Sequence, residues 1–66
     1  MGYRVREIRE SKNMTQEELE RKSGISRQTI SAIENNKADN VMLGTLKALA
    51  SAMETTVESL FFDEAV

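Results

Sequence analysis

Apolar residues along this 66-residue chain recur at helical spacing, with no useful run of strand-like alternation and no proline. Val5 and Ile8 share one face of a segment spanning 3–12, which predicts a first helix. A second is expected over 15–23, anchored by Leu19, and a third over 26–34, where Ile30 and Ile33 lie three apart and point inward. A polar loop follows over 35–40. The fourth helix is expected from 43 to 53, with Leu46, Leu49, Ala50 and Met53 on one face, and a fifth from 57 to about 62 behind the cap residue Thr56. Helices this short are marginal alone in water, so they must hold one another. The expected architecture is an all-α bundle of five helices forming one domain over 1–66. Its expected core is Val5, Ile8, Leu19, Ile25, Ile30, Ile33, Leu46, Leu49, Ala50, Met53 and Leu60.

The strongest local signal is helix-end chemistry between 15 and 35. Thr15 and Glu18 have capping-box spacing, and Met14 and Leu19 stand at the staple positions around the same cap. Gly24 suits the left-handed conformation that ends a helix without steric cost. Ser26 can cap the next helix, with Ile25 and Ile30 as the second staple pair. Two helices joined by so short a turn must cross at a large angle, with the second presented outward: a helix-turn-helix.

Composition narrows the chemistry. Without cysteine or histidine there is no disulfide, and the usual zinc ligands are missing apart from carboxylates. No cofactor is expected. No nucleophile is spaced for activation, and a chain this small cannot enclose a substrate, so an enzyme is not expected. No apolar run approaches a membrane span of about 20 residues and the start shows no signal-peptide pattern, which points to a cytoplasmic location. The net charge of −2 at first argues against a nucleic-acid partner, but it is unevenly distributed. Residues 1–37 carry eight basic and six acidic side chains, and residues 38–66 one and five, giving +2 and −4. Positive charge is needed only where phosphates are touched, so weak non-specific binding and two copies of the domain are expected.

The outward tip of the third helix supplies candidate readers of base edges. Arg27 can donate two hydrogen bonds to guanine, and Gln28 can pair with adenine through two. Ser31 and Ala32 lie one turn later on or beside the same face, small enough for close approach, and the Ala32 methyl can meet a thymine methyl. Gln16, at the start of the second helix, together with Ser26, Thr29, Asn35 and Lys37 around the third, are candidates for the sugar-phosphate backbone. The rival reading of Arg27 and Lys37 is an ordinary solvated charge, and of Asn35 a helix cap. Arg9 and Glu34 suggest an ion pair fixing the angle of the third helix.

The chain end offers more apolar surface than a short helix can bury. Val57, Phe61 and Phe62 are the expected interface of a two-fold homodimer, within a dimerisation segment of about 50–62. The alternative is that both phenylalanines fold back as satellite core. A dimer would set two recognition helices about 34 Å apart, matching successive major grooves of an inverted repeat.

The segment MTQEELERKSGISRQTISAIENNK closely resembles the helix-turn-helix of the phage repressor and Cro-like family, also called the xenobiotic-response-element family. VREIRESKNMTQEEL resembles its opening helices and TLKALASAMETTVESLF its closing pair, so the likeness covers nearly the whole chain. It implies a lambda-repressor-like bundle that binds double-stranded DNA as a homodimer and controls transcription. It also implies phosphate contact at Gln16, base reading at Arg27, Gln28 and Ala32, a backbone position at Ser26, a phosphate-contacting loop at Asn35 and Lys37, and a buried pair of Arg9 with Glu34. A protein partner such as RNA polymerase or a toxin fits the same family, and an antitoxin-like interaction module is the alternative function. Three departures stand out. Glu20 replaces a small residue, its stem expected to snorkel past the helix contact. Asn36 replaces the glycine after the third helix, and NVML replaces a proline before the fourth.

Overall fold

In the computed structural model, which describes residues 3–38 and 41–61, five helices follow the apolar periodicity: α1 (Val5–Ser11), α2 (Gln16–Ser23), α3 (Arg27–Glu34), α4 (Leu43–Ala52) and α5 (Val57–Leu60). The helix α2 packs against both α3 and α4, α1 against α3, and α5 against α4. Their shared centre is Val5, Leu19, Ile30, Ile33, Leu46, Leu49, Ala50, Met53 and Leu60. Ile8 and Ile25, expected inside, are half-buried and pack against the rim of this core. Ile25 sits in the turn between α2 and α3, where only one side of its side chain can be covered.

The starts of α2, α3 and α5 are capped by side chains. The Thr15 hydroxyl accepts from the Glu18 N–H at 3.1 Å while the Glu18 carboxylate accepts from the Thr15 N–H at 3.0 Å, completing the box. Ser26 caps α3 by accepting from the Thr29 N–H at 3.2 Å, and Thr56 caps α5 by accepting from the Ser59 N–H at 3.3 Å. The staple side chains flank the first two caps, with Met14 and Ile25 half-buried over fully buried Leu19 and Ile30.

The first four helices each end at a left-handed residue. Gly24 closes α2 at φ 77°, and Asn13, Asn36 and Glu54 follow α1, α3 and α4 at φ 55°, 57° and 56°. After α3, the Asn36 N–H donates to the Ile33 carbonyl at 3.2 Å and the Lys37 N–H to the Ala32 carbonyl at 2.8 Å, the paired bonds of a Schellman turn. The same pairing recurs at Asn13 and Glu54.

Two helix boundaries are shorter than expected, for one reason. Tyr3 and Phe61 form an antiparallel bridge, and the Arg4 N–H donates to the Leu60 carbonyl at 2.7 Å. This pairing draws Tyr3 out of α1 and Phe61, extended at φ −81° and ψ 143°, out of α5. The two rings lie 5.7 Å apart, tilted by 44°. Helical periodicity carries no signal for a single bridge between the two ends of a chain.

Candidate nucleic-acid interface

The helix α3 is divided between packing and presentation. Ile30, Ile33 and Glu34 are buried, while Ser26, Arg27, Gln28 and Thr29 are exposed at its start; Ser31 and Ala32 are half-buried beside them. The Arg27 and Gln28 side chains make no hydrogen bond or ion pair among the described residues, so their donors face outward unspent. Ser26 and Thr29 are less free, since the Ser26 hydroxyl donates to the Thr29 hydroxyl at 3.0 Å. Lys37 is exposed on the loop after the helix.

A buried polar cluster fixes α3 against the two helices before it. Arg9 Nε donates to Glu34 Oε2 at 2.7 Å and Arg9 Nη2 donates to Glu34 Oε1 at 3.2 Å, the two-pronged geometry that suits guanidinium and carboxylate. The third arm of Arg9, Nη1, donates to the Met14 carbonyl at 2.7 Å, tying the α1–α2 loop to the same centre. No buried side-chain nitrogen or oxygen among the described residues lacks a partner. Burial pushes the Glu34 carboxyl up, but hydrogen bonds from Arg9 and Gln16 and the charges of Arg9 and Arg6 outweigh it, leaving it below the ordinary carboxylate range. The hydrogen bond to Glu34 is the main reason the Arg9 guanidinium is held above its usual value.

This cluster reaches the expected backbone-contact positions. Gln16 Nε2 donates to Glu34 Oε1 at 2.9 Å, which orients the side chain at the start of α2 and leaves its oxygen and second hydrogen available. Gln16 and Arg27 line one open groove with Asn13, Thr15 and Glu17. Arg6, which lies 3.5 Å from Glu34 Oε1 through its Nε, donates through Nη2 to Asn35 Oδ1 at 3.1 Å. The Asn35 amide in turn donates to the Ser31 hydroxyl at 3.2 Å. Asn35 is therefore both the C-cap of α3 and a bridge from Arg6 to Ser31. The linking role of Arg6 was not anticipated from sequence, although its position three residues before Arg9 placed it on the same face.

Glu20 departs from its expected place. Instead of merely passing the α2–α3 contact, its carboxylate turns onto the start of α3, where Oε2 accepts from the Arg27 N–H at 3.0 Å. At the other end of the chain, Val57 is half-buried and packs against the core, and Phe61 is 42% exposed although it faces the Tyr3 ring. Phe62 lies outside the described residues. Among the described residues no helix is long and apolar enough to cross a membrane.

Two capped helices around a left-handed glycine, the second offering an unengaged guanidinium and amide at its tip, make a helix-turn-helix unit. The helix-turn-helix family model HTH_3 matches residues 5–60. Over 65 residues the chain is 40% identical to an HTH-type transcriptional regulator of Archaeoglobus fulgidus, covering 97% of this chain and 91% of that one. It is 39% identical over 59 residues to the HTH-type transcriptional regulator RghRB of Bacillus subtilis, covering 89% of this chain but only 42% of the length of that regulator. Among solved structures, the restriction-modification controller protein C.AhdI of Aeromonas hydrophila superposes with a TM-score of 0.81 at 34% identity, covering 88% of this chain and 86% of that one. The chain belongs to the Cro/C1-type helix-turn-helix family of DNA-binding transcription regulators.

Proposed function

We propose that this chain is a non-enzymatic, sequence-specific regulator that binds double-stranded DNA as a homodimer on an inverted-repeat operator. In this reading Arg27, Gln28, Ser31 and Ala32 meet base edges in the major groove, while Gln16, Ser26, Thr29, Asn35 and Lys37 engage the sugar-phosphate backbone. The observation that carries it is the pairing of a rigid mount with an unspent tip. The base of α3 is held by Ile30, Ile33 and the Arg9–Glu34 pair, and its first turn exposes Arg27 and Gln28. Rigid placement matters because a two-pronged contact to one base must be met within a fraction of an ångström to discriminate.

The homodimer rests on the exposed Phe61 and on charge. A chain of net charge −2 gains little from phosphates in one copy, whereas two linked copies raise the effective concentration of the second reading head. Similarity to a restriction-modification controller protein supports a regulator of this kind. The test is selection of bound sequences from a random duplex pool, with sedimentation of the free protein. Wild type is expected to enrich an inverted repeat with half-sites about one helical turn apart and to sediment at about twice the 7.4 kDa chain mass. Arg27→Ala and Gln28→Ala should each lose preference at one base pair per half-site. Enrichment of the same site by both variants at unchanged affinity overturns the assigned tip, and a persistent monomer overturns the dimer.

A further inference from the structure

A helix start exposes N–H groups that attract anions, and in α3 these groups lie beside the residues proposed to read bases. The protein answers two of them internally. Ser26 accepts from the Thr29 N–H, and the Glu20 carboxylate, reaching across from α2, accepts from the Arg27 N–H at 3.0 Å. Glu20 is only half-buried, so its negative charge is felt at the surface around the tip. Among the described residues it makes no ion pair, with Arg27 or any other cation, so only the partial positive charge of the helix start offsets it.

We propose that Glu20 is a specificity-determining residue of the reading head: its carboxylate fills the anion seat at the start of α3 and denies it to a DNA phosphate. The proposal rests on the DNA-reading function proposed above. A phosphate at this seat would reward any duplex equally, because every sequence offers the same backbone. With the seat taken by a fixed carboxylate, a phosphate approaching the tip meets like charge, and engagement depends on what Arg27 and Gln28 find in the groove. Glu20 thus lowers affinity for random duplex more than for the preferred site, and it holds the first residue of α3 in place while doing so.

The experiment measures binding of the full chain to a selected duplex and to a random duplex of equal length, over a series of salt concentrations, by fluorescence anisotropy. Glu20→Gln keeps the size and an acceptor oxygen, Glu20→Ala removes both, and Glu7→Gln removes one charge from the exposed face of α1 as a control. Both Glu20 variants are expected to bind random duplex about two- to fivefold more tightly per reading head, the range for an anion at a helix start. Their logarithmic salt dependence should steepen by up to about 0.9 per added phosphate contact. The ratio of selected-site to random affinity should fall, while Glu7→Gln leaves it unchanged. Loss of folding can only weaken binding, so a gain on random duplex separates this role from a structural one. Wild type that discriminates while both Glu20 variants keep its ratio and salt slope, or match Glu7→Gln, overturns the proposal alone. Wild type that discriminates no duplex overturns the DNA-reading function and the proposal with it.

Discussion

Glu34 is the residue on which the orientation of α3 turns. Its side chain is wholly inaccessible, and it accepts from Arg9 and Gln16 with Arg6 close by. Removing one partner of such a pair strands a buried charge, whereas removing both replaces it with apolar contact. Arg9→Met alone is therefore expected to cost about 3 to 5 kcal/mol, and Arg9→Met with Glu34→Leu clearly less than the two single losses combined. Urea unfolding of the four proteins checks this, and simple additivity would show that the pair is not coupled. The depressed Glu34 carboxyl also gives a pH signature. Its stabilisation is fully present above the unfolded carboxyl value of about 4.3 and is lost as pH falls through the lower folded value. Wild type should lose thermal stability on acidification through that window, and Glu34→Gln should show a flatter profile. Because the Arg9 guanidinium is raised above an already high value, the pair loses nothing at moderately alkaline pH.

At the scale of helices, the capped starts and the left-handed stops at Gly24 and Asn36 were legible in the sequence, and the left-handed stop at Glu54 was not. Thr15, Ser26 and Thr56 each announced a cap that the structure contains, because side-chain capping is local and depends on residue type. Gly24 announced the end of α2 for the same reason, and Asn36 could be read as the left-handed substitute for glycine after α3. Glu54 could not, since a glutamate has no preference for that conformation and is held there by the bonds that close α4. Left-handed backbone costs a residue with a Cβ about 1 to 2 kcal/mol, so Glu54→Gly is expected to stabilise the protein by up to about 1 kcal/mol after the entropy of glycine is counted. Gly24→Ala should do the reverse, costing about 1 to 2 kcal/mol. An added Cβ there meets nothing within 4 Å, so backbone strain alone sets that cost. Thermal melts that rank Glu54→Gly below wild type, or Gly24→Ala level with it, contradict this account of the helix ends.

Across the whole molecule, the core and the presentation of α3 followed from apolar spacing, and the helix-turn-helix from its caps. Apart from the expected Arg9–Glu34 pair, contacts between distant parts of the chain were the part that stayed hidden. Neither the Tyr3–Phe61 bridge, nor the reach of Arg6 to Asn35, nor the turn of Glu20 onto α3 has a local signature, because each depends on how whole helices are set against one another. The same limit applied to charge. A sum of −2 says little, whereas a positive balance of +2 over residues 1–37, which include the exposed tip of α3, leaves room for a nucleic-acid surface. What this arrangement predicts is a reading head whose individual side chains answer for individual base pairs. The most direct measurement takes the duplex enriched by wild type, changes one base pair of each half-site at a time, and compares wild type with Gln28→Ala by anisotropy at fixed salt. Wild type is expected to lose about 1 to 3 kcal/mol at the pair that meets Gln28, and the variant to be indifferent there while keeping every other preference. A Gln28→Ala profile that follows wild type at every position would contradict the claim that the tip of α3 reads the sequence.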